Sequence, residues 1–168
     1  MISTMFRGQV GKWAMTLFAA GAALTANEVL AQNAQYATGK AFFDAKCAVC
    51  HQAGGRGQDG LAPPLTELPG RYAASVEGRK QLGFTVLNGM FGEIALKGKT
   101  YNFRMTSFRN ESDEDLASVL NYLVFDVDAK HAGAKPFTPA EVKTLRATQM
   151  AGDQVRERRD ATLKSLGL

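Results

Sequence analysis

Apolar residues fall into several distinct patterns along the chain. From Trp13 to about Ala26 they form a nearly continuous run. The segment 37–46, Ala-Thr-Gly-Lys-Ala-Phe-Phe-Asp-Ala-Lys, reads as helix with no β-branched run before it. An amphipathic stretch over Glu77 to Asn88 predicts a second helix, among short helices and loops. Between Ser112 and Val124 the signal is strongest. Leu116, Val119, Leu120, Leu123 and Val124 recur at helical spacing and form one stripe facing a core. Ser112 is placed to cap that helix, and Asp113, Glu114 and Asp115 put acids where unpaired N–H groups and the positive dipole end favour them. No strand run is convincing. Residues 129–136 have a linker's composition, and Thr138-Pro139-Ala140-Glu141 starts another short helix. Residues 137–168 hold a further helix rich in Arg156, Arg158, Arg159 and Lys164, with Val155, Leu163 and Leu166 as its apolar anchors. That composition predicts weak packing, docking on another molecule, or a solvated end.

The first apolar run changes the picture of where the chain works. Arg7 and Lys12 precede it and small residues follow at Val29 and Ala31, the order of a secretory signal peptide cleaved after Ala31. A membrane anchor fits less well, because a bilayer crossing needs roughly 20 apolar residues. The expected division is signal peptide 1–31, a domain over 32–128 and a polar helical extension over 129–168, with a periplasmic destination. Loss of Arg7, Lys12 and Glu28 lowers the formal net charge from +4 to about +3. This suits a modest basic docking face or an ordinary solvated surface, and it excludes the dense Lys/Arg stripe of nucleic-acid binders.

Cysteine usage narrows the chemistry. Both cysteines, Cys47 and Cys50, lie in Cys47-Ala48-Val49-Cys50-His51. A disulfide between them would close too small a loop to restrain the unfolded chain. A structural zinc site needs four ligands, and the other histidine, His131, is distant. A thiol–disulfide oxidoreductase also uses Cys-x-x-Cys, but in a βαβ setting missing before this motif. Cys-x-x-Cys-His is the attachment signature of c-type haem: two thiols form thioethers with the macrocycle, and the next histidine binds iron. Residues three apart on a helical turn project to nearly one side, so both sulfurs meet one haem edge. His51 is then the proximal ligand.

Gly39 to His51, GKAFFDAKCAVCH, resembles the N-terminal helix and haem-binding turn of class I cytochromes c, and the resemblance extends over roughly residues 36 to 128. It implies an all-α, cytochrome c-like fold of several short helices around one covalently bound haem, with the helical C-terminal extension added. Gly60 to Leu65 is similar to the family's proline loop, whose carbonyl accepts the proximal imidazole N–H; Pro63 or Pro64 takes that role. Met105, in the polar and aromatic loop 98–108, resembles the sixth iron ligand, although Thr106 stands where the family has proline. Met90, Met150 and His131 are the other candidates, Met90 reading better as a core residue. The resemblance has the helix after that loop cross the N-terminal helix, Gly39 permitting close approach and Phe43 meeting Leu116, Leu120 or Tyr122. Tyr101 is the best-placed propionate donor, with Asn102, Arg71 and Arg79 as others. The implied function is single-electron transfer between redox partners: a periplasmic dehydrogenase, an oxidase or a peroxidase. A haem subunit of a larger dehydrogenase, with membrane-complex association, an open-site catalytic or gas-binding haem, and a thiol oxidoreductase are the alternatives.

Overall fold

The computed structural model describes residues 36–128 and 133–168. The apolar run ahead of Ala31, the cleavage site and His131 lie outside them. Among the described residues no helix is long and apolar enough to cross a membrane.

The first helix among the described residues, α1, covers 36–46 and passes into α2 (Ala48–His51), the Cys47 amide donating to Phe43 O at 2.8 Å across the junction. Helices α3 (Pro69–Ala73) and α4 (Val76–Asn88) follow, then α5 (Asp113–Tyr122), which runs into a wider π-type turn over Leu123–Val127. Helices α6 (Pro139–Arg146) and α7 (Gly152–Ser165) complete the chain. Three starts are closed by hydroxyls accepting an N–H: Ser75 from Gly78 at 3.0 Å, Ser112 from Asp115 at 3.0 Å and Thr138 from Glu141 at 3.2 Å. Each satisfies a donor that the helix itself leaves orphaned.

Helices α1 and α5 cross at Gly39. A Cβ there would collide with the Ser118 carbonyl and lie 2.9 Å from Tyr122 Cβ, so only a hydrogen lets the backbones meet. The Phe43 ring sits 5.5 Å from that of Tyr122 and clusters with Val119 and Leu123. Leu116 and Leu120 do not meet Phe43. They join Phe84, Leu87, Phe137 and Val142 in a second core cluster. The single stripe expected of α5 is in fact burial all round: every residue from Leu116 to Tyr122 is buried. A helix covered on all sides must have a neighbour on its second face, and here that neighbour is α6.

Two features depart from the sequence reading. A two-stranded antiparallel hairpin, β1 (Ile94–Leu96) with β2 (Lys99–Tyr101), stands before the Met105 loop and buries Ile94 and Tyr101. Its turn residues Lys97 and Gly98 both take positive φ, 50° and 74°, the geometry of the tight hairpin turns that match strand twist. Strands of three residues are too short to display a period of two, which is why the pattern did not reveal them.

The C-terminal region also packs far more firmly than its composition suggests. Asn121 is fully buried; its Nδ2 donates to Phe137 O at 3.0 Å and its Oδ1 accepts from Phe137 N at 2.6 Å. Arg79 lies over the Phe137 ring, pairs with Glu141 and donates to Lys135 O and Pro136 O. Arg109 and Arg146 donate to each other's carbonyls, and Arg146 pairs with Asp113. Helix α7 lies on α4 and buries Gly152, Val155, Arg159 and Thr162, Gly152 meeting Phe91 just past α4, whereas Leu163 and Leu166 are only half-buried.

Candidate functional site

A largely apolar cavity of about 280 Å³ opens between α2, the proline loop, α4, the hairpin, the Met105 loop and α7. Cys47, Cys50 and His51 line one side of it. Cys47 caps α2, its carbonyl accepting from Cys50 N at 3.1 Å and His51 N at 2.9 Å, so the motif forms the single helical turn that the two sulfurs require. His51 Nδ1 lies 2.9 Å from Pro63 O. A carbonyl only accepts, so Nδ1 carries the proton and Nε2 is left with its lone pair for a metal. Of the two prolines, Pro63 is the one whose carbonyl lies at hydrogen-bond distance from the ring. Gly57, at φ 73°, permits the contact: a Cβ there would lie 2.7 Å from the Pro63 carbonyl carbon. Burial holds the His51 pKa below its ordinary value, against the opposing pull of the Pro63 carbonyl, so the ring is kept neutral as a ligand must be. Burial, with Cys50 as a lesser cause, pushes the Cys47 thiol up to about 11. A thiol–disulfide oxidoreductase needs the opposite shift, so this environment disfavours that chemistry.

Met90 and Met105 both line the cavity, each half-buried. Their backbones form an antiparallel bridge, Met105 N to Met90 O at 2.8 Å and Met90 N to Met105 O at 3.2 Å. Beyond the bridge, Ser107 Oγ donates to Leu87 O at 2.6 Å and Phe108 N to Val86 O at 3.0 Å. The loop is therefore zipped to the end of α4, and this supplies the stiffness that a proline at Thr106 would have given. Met150 packs on the core away from the cavity, its N–H bonded to Asn88.

Tyr101 lines the cavity and is buried; Asn102 is exposed and does not line it. Arg71 is exposed beside a separate shallow pocket, and Arg79 is engaged by the C-terminal segment. Instead three buried polar residues, Tyr72, Gln81 and Arg159, reach the cavity from α3, α4 and α7, with the half-buried Thr85 beside them. Among the described residues the Tyr72 hydroxyl and Gln81 Oε1 have no hydrogen-bond partner. Buried orphans of this kind call for a polar group from elsewhere. An apolar cavity with a Cys-x-x-Cys-His turn on one wall, the Met90 and Met105 thioethers on another, and the unpaired Tyr72 phenol and buried Arg159 guanidinium as donors at a third position fits a macrocycle that is greasy in the middle and carries carboxylates at its edge. The sequence reading missed Tyr72 and Arg159 because nothing local marks them; Arg159 in particular sits among arginines that look like solvated surface.

The cytochrome c family model matches residues 36–124. The chain is 43% identical over 126 residues to cytochrome c-552 of Thermus thermophilus, which covers 74% of this chain and 93% of that protein. It is 35% identical over 117 residues to cytochrome c-554 of Methylosinus trichosporium, covering 64% of this chain and 87% of that protein. With the motif of Cys47, Cys50 and His51 set in the wall of an apolar cavity, these matches show that the chain belongs to the cytochrome c family and is a class I c-type cytochrome, an electron-transfer protein with covalently attached haem c.

Proposed function

We propose that this chain is an exported, single-haem electron carrier in which His51 and Met105 would hold the haem iron. The observation that carries the reading is the pairing, across one apolar cavity, of an imidazole fixed through Pro63 with a methionine loop fixed through Met90. When bound, the haem iron supplies a one-electron couple, and a thioether ligand favours its ferrous state and raises the potential. The chain's part is to hold both ligands still, so that little reorganisation accompanies electron transfer, and to keep water out with Phe43, Leu82, Val86 and Leu123. With His51 and Met105 both holding the iron, no open position would be left for a substrate.

Around the attachment turn the surface is open. Val49 and Phe103, each lining the cavity mouth, are 75% and 64% exposed. A redox partner meets the haem edge there. Electrons enter from a dehydrogenase and leave to an oxidase or peroxidase, in the periplasm after removal of residues 1–31.

The test is an optical spectrum of the exported protein and two variants. Wild type shows haem retained through acid–acetone extraction, a sharp low-spin α band when reduced and a weak far-red band when oxidised. Met105→Ala loses the far-red band and its reduced form binds carbon monoxide, while Met90→Ala keeps the band. Loss of the band in Met90→Ala with its retention in Met105→Ala would transfer the ligand role to Met90. Carbon monoxide binding by the wild type at neutral pH would replace the carrier with an open, catalytic or gas-binding haem.

A further inference from the structure

The C-terminal helix α7 lies beyond the residues matched by the family model, yet it sends a buried arginine into the haem cavity. Arg159 is 7% exposed. The carboxylate nearest to it in sequence, Asp160, accepts from its Nη1 at 3.0 Å but is itself half exposed and shared with Arg156. A guanidinium taken this far out of water is poorly compensated by one rim carboxylate. Near it, on α3, Tyr72 is 6% exposed and its hydroxyl has no partner among the described residues. Burial pushes the Tyr72 pKa up to about 12, with Arg159 close enough to oppose the shift, so the phenol remains a donor at working pH. The position of α7 is set by Gln81, whose Nε2 donates to Val155 O at 3.1 Å, one helical turn before Arg159. Two buried donors, one cationic, thus converge on a cavity that receives a macrocycle bearing two carboxylates.

We propose that Arg159 and Tyr72 form the seat of a haem propionate, so that the C-terminal extension is part of the haem site. The guanidinium fork pairs with the carboxylate oxygens and the phenol donates to the same group, which satisfies the orphaned hydroxyl and neutralises the buried cation. The extension then acts on the iron as well as on the fold, because a fixed cation near the haem disfavours the ferric form. The inference rests on the haem site and is independent of which partners the carrier serves.

Arg159→Gln, Arg159→Lys and, as a control, Lys164→Gln test it in the full-length holoprotein. Lys164 is on the same helix, exposed, and carries the same charge. Arg159→Gln is expected to shift the couple about three- to tenfold toward the ferric form, a lower midpoint potential by up to 59 mV. Its propionate bending modes in the resonance Raman spectrum should move while the low-spin bands stay. Lys164→Gln should leave both unchanged. Arg159→Lys keeps the charge but not the fork, so its potential stays near wild type while its propionate modes shift. It also serves should Arg159→Gln fail to accumulate. The covalent haem and its low-spin spectrum report on the haem site separately. A normal spectrum with unmoved propionate modes in Arg159→Lys, or with a potential in Arg159→Gln no lower than in Lys164→Gln, overturns the assignment and leaves the cytochrome intact.

Discussion

At the scale of single residues, much of the chemistry depends on where hydrogen bonds end. His51 is fixed by the Pro63 carbonyl because Gly57 lets the two strands of that loop touch. Gly57→Val should obstruct the approach and lower the yield of low-spin haem protein, measured as reduced α-band absorbance per polypeptide. Tyr72 gives a pH prediction. Its pKa rises from 10 to about 12 on folding, chiefly through burial. The raised value means that the folded state favours the neutral phenol. Its contribution to stability is complete below pH 10 and is lost as pH climbs from 10 to 12. Two units correspond to about 3 kcal/mol. In the holoprotein, Tyr72→Phe should therefore flatten that part of the stability–pH curve in denaturant titrations at pH 9 and pH 12. Equal alkaline losses in both proteins would show that other groups govern the range.

At the scale of elements, the crossing of α1 and α5 is the contact with least tolerance. Gly39→Val drives a branched side chain into the Ser118 carbonyl, and overpacking of this kind costs about 1–3 kcal/mol or more. The thermal midpoint should drop by roughly 2–12 °C, since 1 kcal/mol is worth about 2–4 °C in a domain of this size. An unchanged midpoint would mean that the helices can part without cost. The cap at Ser112 is a milder case. Ser112→Ala leaves the Asp115 N–H without its acceptor and should cost about 1 kcal/mol in chemical denaturation. Both elements were readable beforehand: the glycine from the family's pattern, the cap from serine followed by three acids. The hairpin was not. Its two three-residue strands owe their place to the turn at Lys97-Gly98 and to Ile94 and Tyr101 finding a core to enter.

At the scale of the whole molecule, the C-terminal segment forms the second face of the core. Asn121 is its principal clasp, pairing both backbone groups of Phe137 from inside α5. Asn121→Leu would strand a buried N–H and a buried C=O, each costing about 1–3 kcal/mol, and should loosen α6 as well. Hydrogen exchange of the α6 amides is expected to quicken by at least tenfold, while protection in α1 falls less. Uniform loss of protection would show instead that the tail and the haem region unfold as one unit.

The local chemistry was legible from the sequence because it is written in short-range order. Cys47, Cys50 and His51 work at fixed spacing on one turn, and Leu116 to Val124 repeat with the period of a helix. Pro63 could be narrowed to a pair, since a hydrogen bond between residues 12 apart depends on loop path. Arg159 and Tyr72 were invisible for a stronger reason: arginine on a charged helix has the same local context whether it meets water or a cavity. Only tertiary packing, with Val155 seated on α4 through Gln81, turns that one residue inward while Arg156 and Arg158 pair with carboxylates nearer the surface. Periodicity records which face of a segment avoids water. What that face meets is decided by partners far away along the chain, and no local pattern contains them.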